Sequence, residues 1–298
     1  MSEDLPTLER PMKAYSGLSG TGQPSTLGLL IKYLAERISI GSCSVLLHGM
    51  QSDNKVPSAQ VLPDAGSNLS KKEQVADMFN DIAGKYDFLN HFLSLGIDRG
   101  WRKKAIAEIK KVNPQTILDV ATGTGDLAIA AAQLQPQHIT GIDIAEQMLE
   151  VGRKKLGELG LSQTITLQTA DSEALPFQNN SFDAVTCAYG VRNFETLDKG
   201  LAEMCRVMRP GGKLAILEFS KPKQFPVKQL YNFYFRYILP LLGKMVSRNS
   251  RAYTYLPESV MAFPEGKALC ERLEKAGFKN AKAQPLTLGI TTLYTASK

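Results

Sequence analysis

The rhythm of apolar and polar positions changes near residue 71. From there apolar residues recur every three or four positions over 71–84 and 99–111, the period of a helix with one buried face. The segment from Asn90 to Gly96 lies between them. Short apolar runs then follow at 115–121, 138–142, 164–169, 182–188 and 212–219, separated by helical stretches at 126–134, 146–158 and 197–208. Strands that alternate with helices predict an α/β architecture with a parallel sheet and helices on both faces. The end of the chain departs from this alternation. After a helical stretch at 265–276, residues 278–283 and 287–295 are strand-like, with Leu288-Gly289 near their turn, so a terminal antiparallel hairpin is expected.

Residues 1–70 have another texture, rich in Ser, Gly, Pro, Leu and Gln, and 50–70 has almost no periodicity. The composition predicts a disordered N-terminal extension over 1–70, followed by one domain over 71–298. Within the extension, 26–37 suits a short amphipathic helix with Leu29, Leu30, Tyr33 and Leu34 on one side. Lys32, Glu36 and Arg37 interrupt that run, so it does not read as a secretory signal. A translation start at Met50 would set 1–49 aside altogether.

Composition narrows the chemistry only a little. The chain has 298 residues, 43% of them hydrophobic, and a formal charge of +6. That charge is compatible with an acidic substrate or a membrane surface. The four cysteines (Cys43, Cys187, Cys205, Cys270) show no CxxC spacing, and Cys187 and Cys205 fall in apolar runs, as reduced core residues of a cytoplasmic protein do. Three scattered histidines (His48, His91, His138) speak against a histidine metal site, so no metal is expected.

The most informative stretch is Ile117-Leu-Asp-Val-Ala-Thr-Gly-Thr-Gly-Asp126. A strand breaks into a glycine turn and feeds a helix, which brings backbone N–H groups close to a ligand. Gly123, Thr124 and Gly125 form the turn. Eighteen residues past Gly125, the next apolar run ends in Asp143, placed to accept from ribose hydroxyls. The ligand is therefore built on a nucleoside. Gly123-Thr-Gly-Asp-Leu-Ala128 also satisfies the dinucleotide pattern, which leaves a nicotinamide oxidoreductase as the rival reading. The neighbouring charges favour something else. Asp119 and Asp126 flank the turn and would repel a pyrophosphate, whereas S-adenosylmethionine carries a sulfonium and an ammonium and no phosphate. Asp126 can also simply complement the helix dipole. The run at 164–169 ends in Ala170-Asp171-Ser172, where Asp171 can accept from the adenine amine or cap a short helix.

Several blocks resemble the menaquinone/ubiquinone biosynthesis C-methyltransferases: Asp119-Val-Ala-Thr-Gly-Thr-Gly-Asp126, Asp171-Ser-Glu-Ala-Leu-Pro-Phe177, Tyr189-Gly-Val-Arg-Asn193, and Arg209-Pro-Gly-Gly-Lys-Leu-Ala-Ile-Leu-Glu-Phe-Ser-Lys-Pro222. Tyr86-Asp87 with Asn90 and Ser94-Leu-Gly-Ile-Asp98 belong to the same resemblance, which covers 71–298. It implies a class I S-adenosylmethionine-dependent methyltransferase fold: a Rossmann-like seven-stranded sheet, mostly parallel, with a C-terminal antiparallel hairpin. It also implies that Thr124, Asp143, Asp171 and Ser172 contact the cofactor and that Ala188 stands near its methionine part, where relatives often carry Ser. The implied reaction is methyl transfer to a ring carbon of a prenylated hydroquinone, demethylmenaquinol or a ubiquinone-precursor benzoquinol. A non-catalytic subunit of quinone assembly is the further alternative.

Carbon becomes nucleophilic when a ring hydroxyl ionises, so the site must stabilise a phenolate, align the carbon and exclude water. Arg192 can supply a fixed cation and Asn193 can orient the ring oxygen. Arg192 can equally be structural, paired with a carboxylate such as Glu195. Tyr86, Asp87 and His91 lie in an N-terminal helical lid over 71–112, and any of them can take the hydroxyl proton; Tyr86 is favoured as a lid contact. The stretch 219–257 has seven basic residues, nine aromatics and no Asp or Glu. As an aromatic, basic insertion it suits an isoprenoid tail and the inner face of the cytoplasmic membrane. A homodimer interface or an ordinary core helix is the plainer reading. A nucleic-acid partner is not expected, because these residues cluster in an apolar helical pattern and not along an open basic stripe.

Overall fold

The computed structural model describes residues 61–94, 96–234, 237 and 251–298; within these, the side chains of residues 85, 88–93 and 251–253 are not considered. The side chains of Asn90 and His91, most of 235–250 in the aromatic-basic stretch, and the expected extension up to residue 60 therefore lie outside what is described.

Seven strands form one sheet in the order β3-β2-β1-β4-β5-β7-β6. They are β1 (Thr116–Val120), β2 (His138–Asp143), β3 (Ile165–Thr169), β4 (Phe182–Ala188), β5 (Met208–Phe219), β6 (Lys279–Leu286) and β7 (Thr291–Ser297). The first five run parallel, β1 lying between β2 and β4. β7 is antiparallel to both β5 and β6. The order therefore reverses between β1 and β4, the switch point where open α/β sheets bind ligands beyond their carboxyl ends.

Alternation along each strand divides the core in two. Leu118, Val120, Val185, Cys187, Leu214 and Ile216 point to one face. There they meet Leu201 and Met204 of α5 (Leu197–Val207) and Leu269 and Leu273 of α8 (Lys267–Lys275). Ile117, Ile139, Ala184, Ala215 and Leu217 point to the other. That face is covered by α2 (Asp98–Ile109), α3 (Asp126–Ala131) and α4 (Glu146–Glu158), through Trp101, Ala105, Ile109, Leu127, Ala128, Leu149 and Leu156.

The lid helix α1 runs Lys71–Ser94, ten residues past the stretch with clear periodicity. Ser70 and Glu73 cap it reciprocally: Ser70 N–H donates to Glu73 Oε2 at 2.8 Å, and Glu73 N–H to Ser70 Oγ at 3.3 Å. Gly84 does not end it, since a mid-helix glycine costs only about 1 kcal/mol and Asp87 anchors the next turn to α4. Residues 61–70, which composition assigns to the extension, belong to the packed body. Val61 packs on Val75, Met78 and Tyr255, and Asp64 N–H donates to Gln74 Oε1. Two further helices follow β5, α6 (Val227–Phe233) and α7 (Arg251–Ala262).

The terminal hairpin sits later than the apolar pattern indicates. Thr287–Gly289 is a tight 3-10 turn with positive φ at all three residues, so β7 begins at Thr291. Exposed Lys279 and Lys282, together with Pro285, mark β6 as the sheet edge.

At the switch point the backbone crowds. A Cβ on Gly190 would stand 2.5 Å from the Ala121 Cβ and 2.9 Å from the Cys187 sulfur. Gly190→Ala is therefore expected to lower stability by about 1–3 kcal/mol, measured by urea unfolding; a loss below a few tenths would show that the strands can spread here.

Candidate active site

The turn after β1 is built from backbone. Thr122 N–H donates to Ile142 O at 2.8 Å, which ties the turn to the end of β2. Ala121, Gly123 and Gly125 all have positive φ (52°, 56° and 82°), so glycine is needed at two of three positions and the alanine is strained. Beneath the turn lies Asp119, 1% exposed. Its carboxylate accepts from Thr122 Oγ1 at 2.6 Å and from Thr186 Oγ1 of β4 at 2.7 Å. Burial pushes its pKa up to about 6 against those hydrogen bonds.

A cleft open to solvent runs along the carboxyl ends of β1 to β4. Ala121, Gly123, Ala188 and Gly190 line it with small or absent side chains, and Asp143, Ala170, Asp171 and Ser172 line the side beyond β2 and β3. Asp143 accepts from Gly123 N–H at 2.8 Å and from Ala145 N–H at 2.9 Å, while burial raises its pKa. From above, α1 presents Lys72, Val75, Phe79 and Tyr86 at helical spacing. Lys72 pairs with Asp171 across the cleft. Lys71 donates its ammonium to Phe194 O at 2.9 Å and to Arg192 O at 3.2 Å, which fastens the start of the lid to the Val191–Asn193 turn. Burial and then the Arg192 charge lower the Lys71 pKa.

Of the residues singled out from sequence, the cleft is lined by Gly123, Asp143, Asp171, Ser172, Ala188, Asn193 and Tyr86. Four others stand elsewhere. Asp119 is sealed under the turn by its threonine partners. Thr124 turns away, its hydroxyl donating to Asp87 Oδ1 at 2.5 Å. Gly125 caps α3 behind the turn. Arg192 is buried next to the lining residue Asn193, with 7% of its side chain exposed. Asp126 is compensated by Lys155 at 2.8 Å and Arg102 at 3.2 Å. Asp87 has both oxygens engaged, by Thr124 and by Lys155 at 2.6 Å, so it is tied into the scaffold and is no free base.

The two carboxylates beside the turn in sequence thus do not reach a ligand. The negative sign of the cleft survives through others. Asp143, Asp171, Glu173 and Glu195 line it against Lys72, and Lys72 is paired. Such a lining attracts a sulfonium and an ammonium and repels a pyrophosphate, so it fits S-adenosylmethionine and disfavours a nicotinamide dinucleotide. Among the described residues no cluster of His, Cys, Asp and Glu could hold a metal.

The partner of Arg192 is Glu218, not Glu195. Nη1 reaches Glu218 Oε1 at 2.9 Å and also donates to Tyr189 O, and the guanidinium stands 5.6 Å from the Phe219 ring centre. Glu218 is fully buried. Glu195 instead accepts from Lys71 N–H at 3.0 Å. Glu218, Lys71 and Lys72 were not singled out from sequence, though Glu218 stands in the Glu-Phe-Ser-Lys-Pro block. An acidic residue at the buried end of a central strand was the available signal.

A model of the ubiE/COQ5 methyltransferase family matches residues 67–298. The chain belongs to that family. It is an S-adenosylmethionine-dependent methyltransferase. It is 51% identical over 234 residues to the demethylmenaquinone methyltransferase of Bacteroides fragilis, covering 78% of this chain and 96% of that one. It is 46% identical over 230 residues to the ubiquinone/menaquinone biosynthesis C-methyltransferase UbiE of Geotalea daltonii, covering 76% and 97%. A solved S-adenosylmethionine-dependent methyltransferase of Thermotoga maritima shares the fold at 18% identity and a TM-score of 0.51, covering 74% and 99%.

The raised Asp119 pKa gives a signed expectation. A carboxyl whose pKa is about 6 when folded and 3.8 otherwise contributes stability below pH 3.8 that is lost as pH rises through 6. Asp119→Asn lacks that loss. In urea unfolding across pH 4 to 7, the stability of Asp119→Asn minus that of wild type should rise by up to about 3 kcal/mol. A flat difference would show that the threonine hydrogen bonds fully offset burial.

Proposed function

We propose that the methyl acceptor is a prenylated hydroquinone, demethylmenaquinol, converted to menaquinol. A benzoquinol precursor of ubiquinone is the alternative ring. The observation that carries the proposal is a pair of buried polar atoms around the Val191–Asn193 turn with no hydrogen-bond partner: Arg192 Nε, a donor, and Asn193 Oδ1, an acceptor. Buried polar groups are rarely left so in a folded protein, and a phenolic ring offers the matching groups. The names of the relatives from Bacteroides fragilis and Geotalea daltonii support the same acceptor class.

S-adenosylmethionine, when bound, supplies an electrophilic methyl group on sulfur. Gly123, Asp143, Asp171, Ser172 and Ala188 would hold it, Asp143 at the ribose and Asp171 at the adenine. The acceptor loses one hydroxyl proton, its ortho carbon gains the methyl group as the carbon–sulfur bond breaks, and the ring proton leaves while the ring oxygen regains one, so one proton is released overall. Arg192, fixed by Glu218, stabilises the charge developing on the ring oxygen. Asn193 orients the ring, and Tyr86 closes the lid side against water. Purified protein given labelled S-adenosylmethionine and demethylmenaquinol should place label in the quinone fraction, and Arg192→Ala should abolish most of it. Unlabelled quinone would overturn demethylmenaquinol as the acceptor and turn the assignment to the benzoquinol ring.

The prenyl tail accounts for a second surface. Phe225 is 81% exposed, and Phe233 and Tyr237 are half exposed with rings 5.3 Å apart. Lys223 and Lys228 flank Phe225 in sequence, and among the described residues no helix is long and apolar enough to cross a membrane. We infer peripheral contact with an anionic membrane surface at the cytoplasmic face. Co-sedimentation with vesicles containing phosphatidylglycerol should fall when Phe225 and Phe233 are both changed to Ser. Equal sedimentation would argue for a surface that meets a second copy of the chain.

A further inference from the structure

One more buried polar group lies near the Val191–Asn193 turn, and what it implies rests on the hydroquinone reading. Tyr255 of α7 is 2% exposed, and its hydroxyl is buried with no hydrogen-bond partner. It packs on Val75 and Met78 of the lid helix, and α7 also packs against the Val191–Asn193 turn. Val75 itself lines the cleft. Burial raises the phenol to about 12, so it stays protonated and able to donate.

Asn193 has the opposite capacity. Its Nδ2 faces Tyr189 O at 3.5 Å. A flipped amide would set two carbonyl oxygens against each other, so the contact, though long, fixes Oδ1 as the free end. An amide oxygen only accepts. The turn thus offers a buried acceptor, and α7, packed against that turn with Tyr255 within electrostatic reach of Arg192, offers a buried donor; a ring hydroxyl, which both donates and accepts, can satisfy the two together. A quinone carbonyl only accepts. It can take the Tyr255 hydrogen bond, but it leaves Asn193 Oδ1 unsatisfied and faces it with another lone pair.

We propose that Asn193 and Tyr255 together bind a ring hydroxyl of the acceptor, and that Asn193 Oδ1 makes the site selective for the reduced hydroquinone over the oxidised quinone. The oxygen held this way keeps its proton, so the one that ionises is the other ring oxygen. The two residues have separable signatures, because only Asn193 distinguishes the redox states.

Calorimetric titration of full-length protein saturated with S-adenosylhomocysteine, under anaerobic conditions, compares a short-tailed 2-prenyl-1,4-naphthohydroquinone with its quinone. Wild type should bind the hydroquinone at least about tenfold more tightly. Asn193→Leu should bring the two affinities within about twofold. Tyr255→Phe, which keeps the packing ring, should weaken both ligands about fivefold and leave their ratio unchanged. Equal wild-type affinities, or an unchanged ratio in Asn193→Leu, overturns the selectivity. Unchanged affinities in Tyr255→Phe overturn its part, and if Asn193→Leu does not fold, the wild-type affinity ratio still tests the selectivity. Binding of neither form by wild type overturns the acceptor reading as well, an outcome distinct from the others.

Discussion

The buried pair of Arg192 and Glu218 is the interaction on which the acceptor side depends. Glu218 comes from the end of β5 and Arg192 from the turn after β4, so the buried pair joins neighbouring strands next to the cleft-lining Asn193. Two charges removed from water are tolerated only when well paired and hydrogen-bonded, and removing one partner of such a pair costs roughly 3–5 kcal/mol. Glu218 also takes Phe219 N–H at 2.9 Å and Arg192 N–H at 3.3 Å. With its charge matched in this way, Arg192 has its buried Nε–H left without a protein partner and is no free cation. Its pairing also holds Asn193, the next residue, in a fixed place.

The cofactor side rests on a different kind of constraint. Here the turn is shaped by backbone hydrogen bonds and positive φ values, while the charged side chains near it are spent on scaffolding. Lys155 draws Asp87 and Asp126 together, and Arg102 joins Asp126 to Asp98, so α1, α2, α3 and α4 meet behind the turn. The lid is fastened at its start by Lys71 and further along by Asp87. Between those anchors the Lys72–Asp171 pair crosses the cleft, about a third exposed and therefore partly screened by solvent. A ligand amine that approaches Asp171 competes with a side chain that can swing into solvent at little cost.

Much of the architecture was legible along the chain. Strand-period and helix-period runs succeed one another clearly from Lys71 onward, because each element buries one face and its neighbours cover it. Boundaries were less clear where tertiary contacts override local preference. The lid helix passes Gly84 because Asp87 is held by Thr124 and Lys155. The last strand starts late because Thr287, Leu288 and Gly289 take left-handed conformations that no apolar pattern announces. Residues 61–70 pack although their composition is that of a linker, since Val61 finds a hydrophobic partner on a helix more than ten residues away.

The sequence by itself determined the order of elements, the glycine turn after the first strand, the acidic tip of the second, and, through its longer motifs, the family. Those features are local: they depend on a residue's neighbours in the chain, and spacing records them. Which carboxylates face the ligand was decided only by the tertiary structure. Asp119 and Asp126 flank the turn in sequence yet end up sealed or paired, while Asp143, Asp171, Glu173 and Glu195, scattered over some fifty residues, share one cleft. The partner of Arg192 was likewise hidden, because Glu218 lies twenty-six positions away and meets it only when β4 and β5 pair. A side chain's direction and its partner follow from packing across the sheet, and no one-dimensional pattern carries that information.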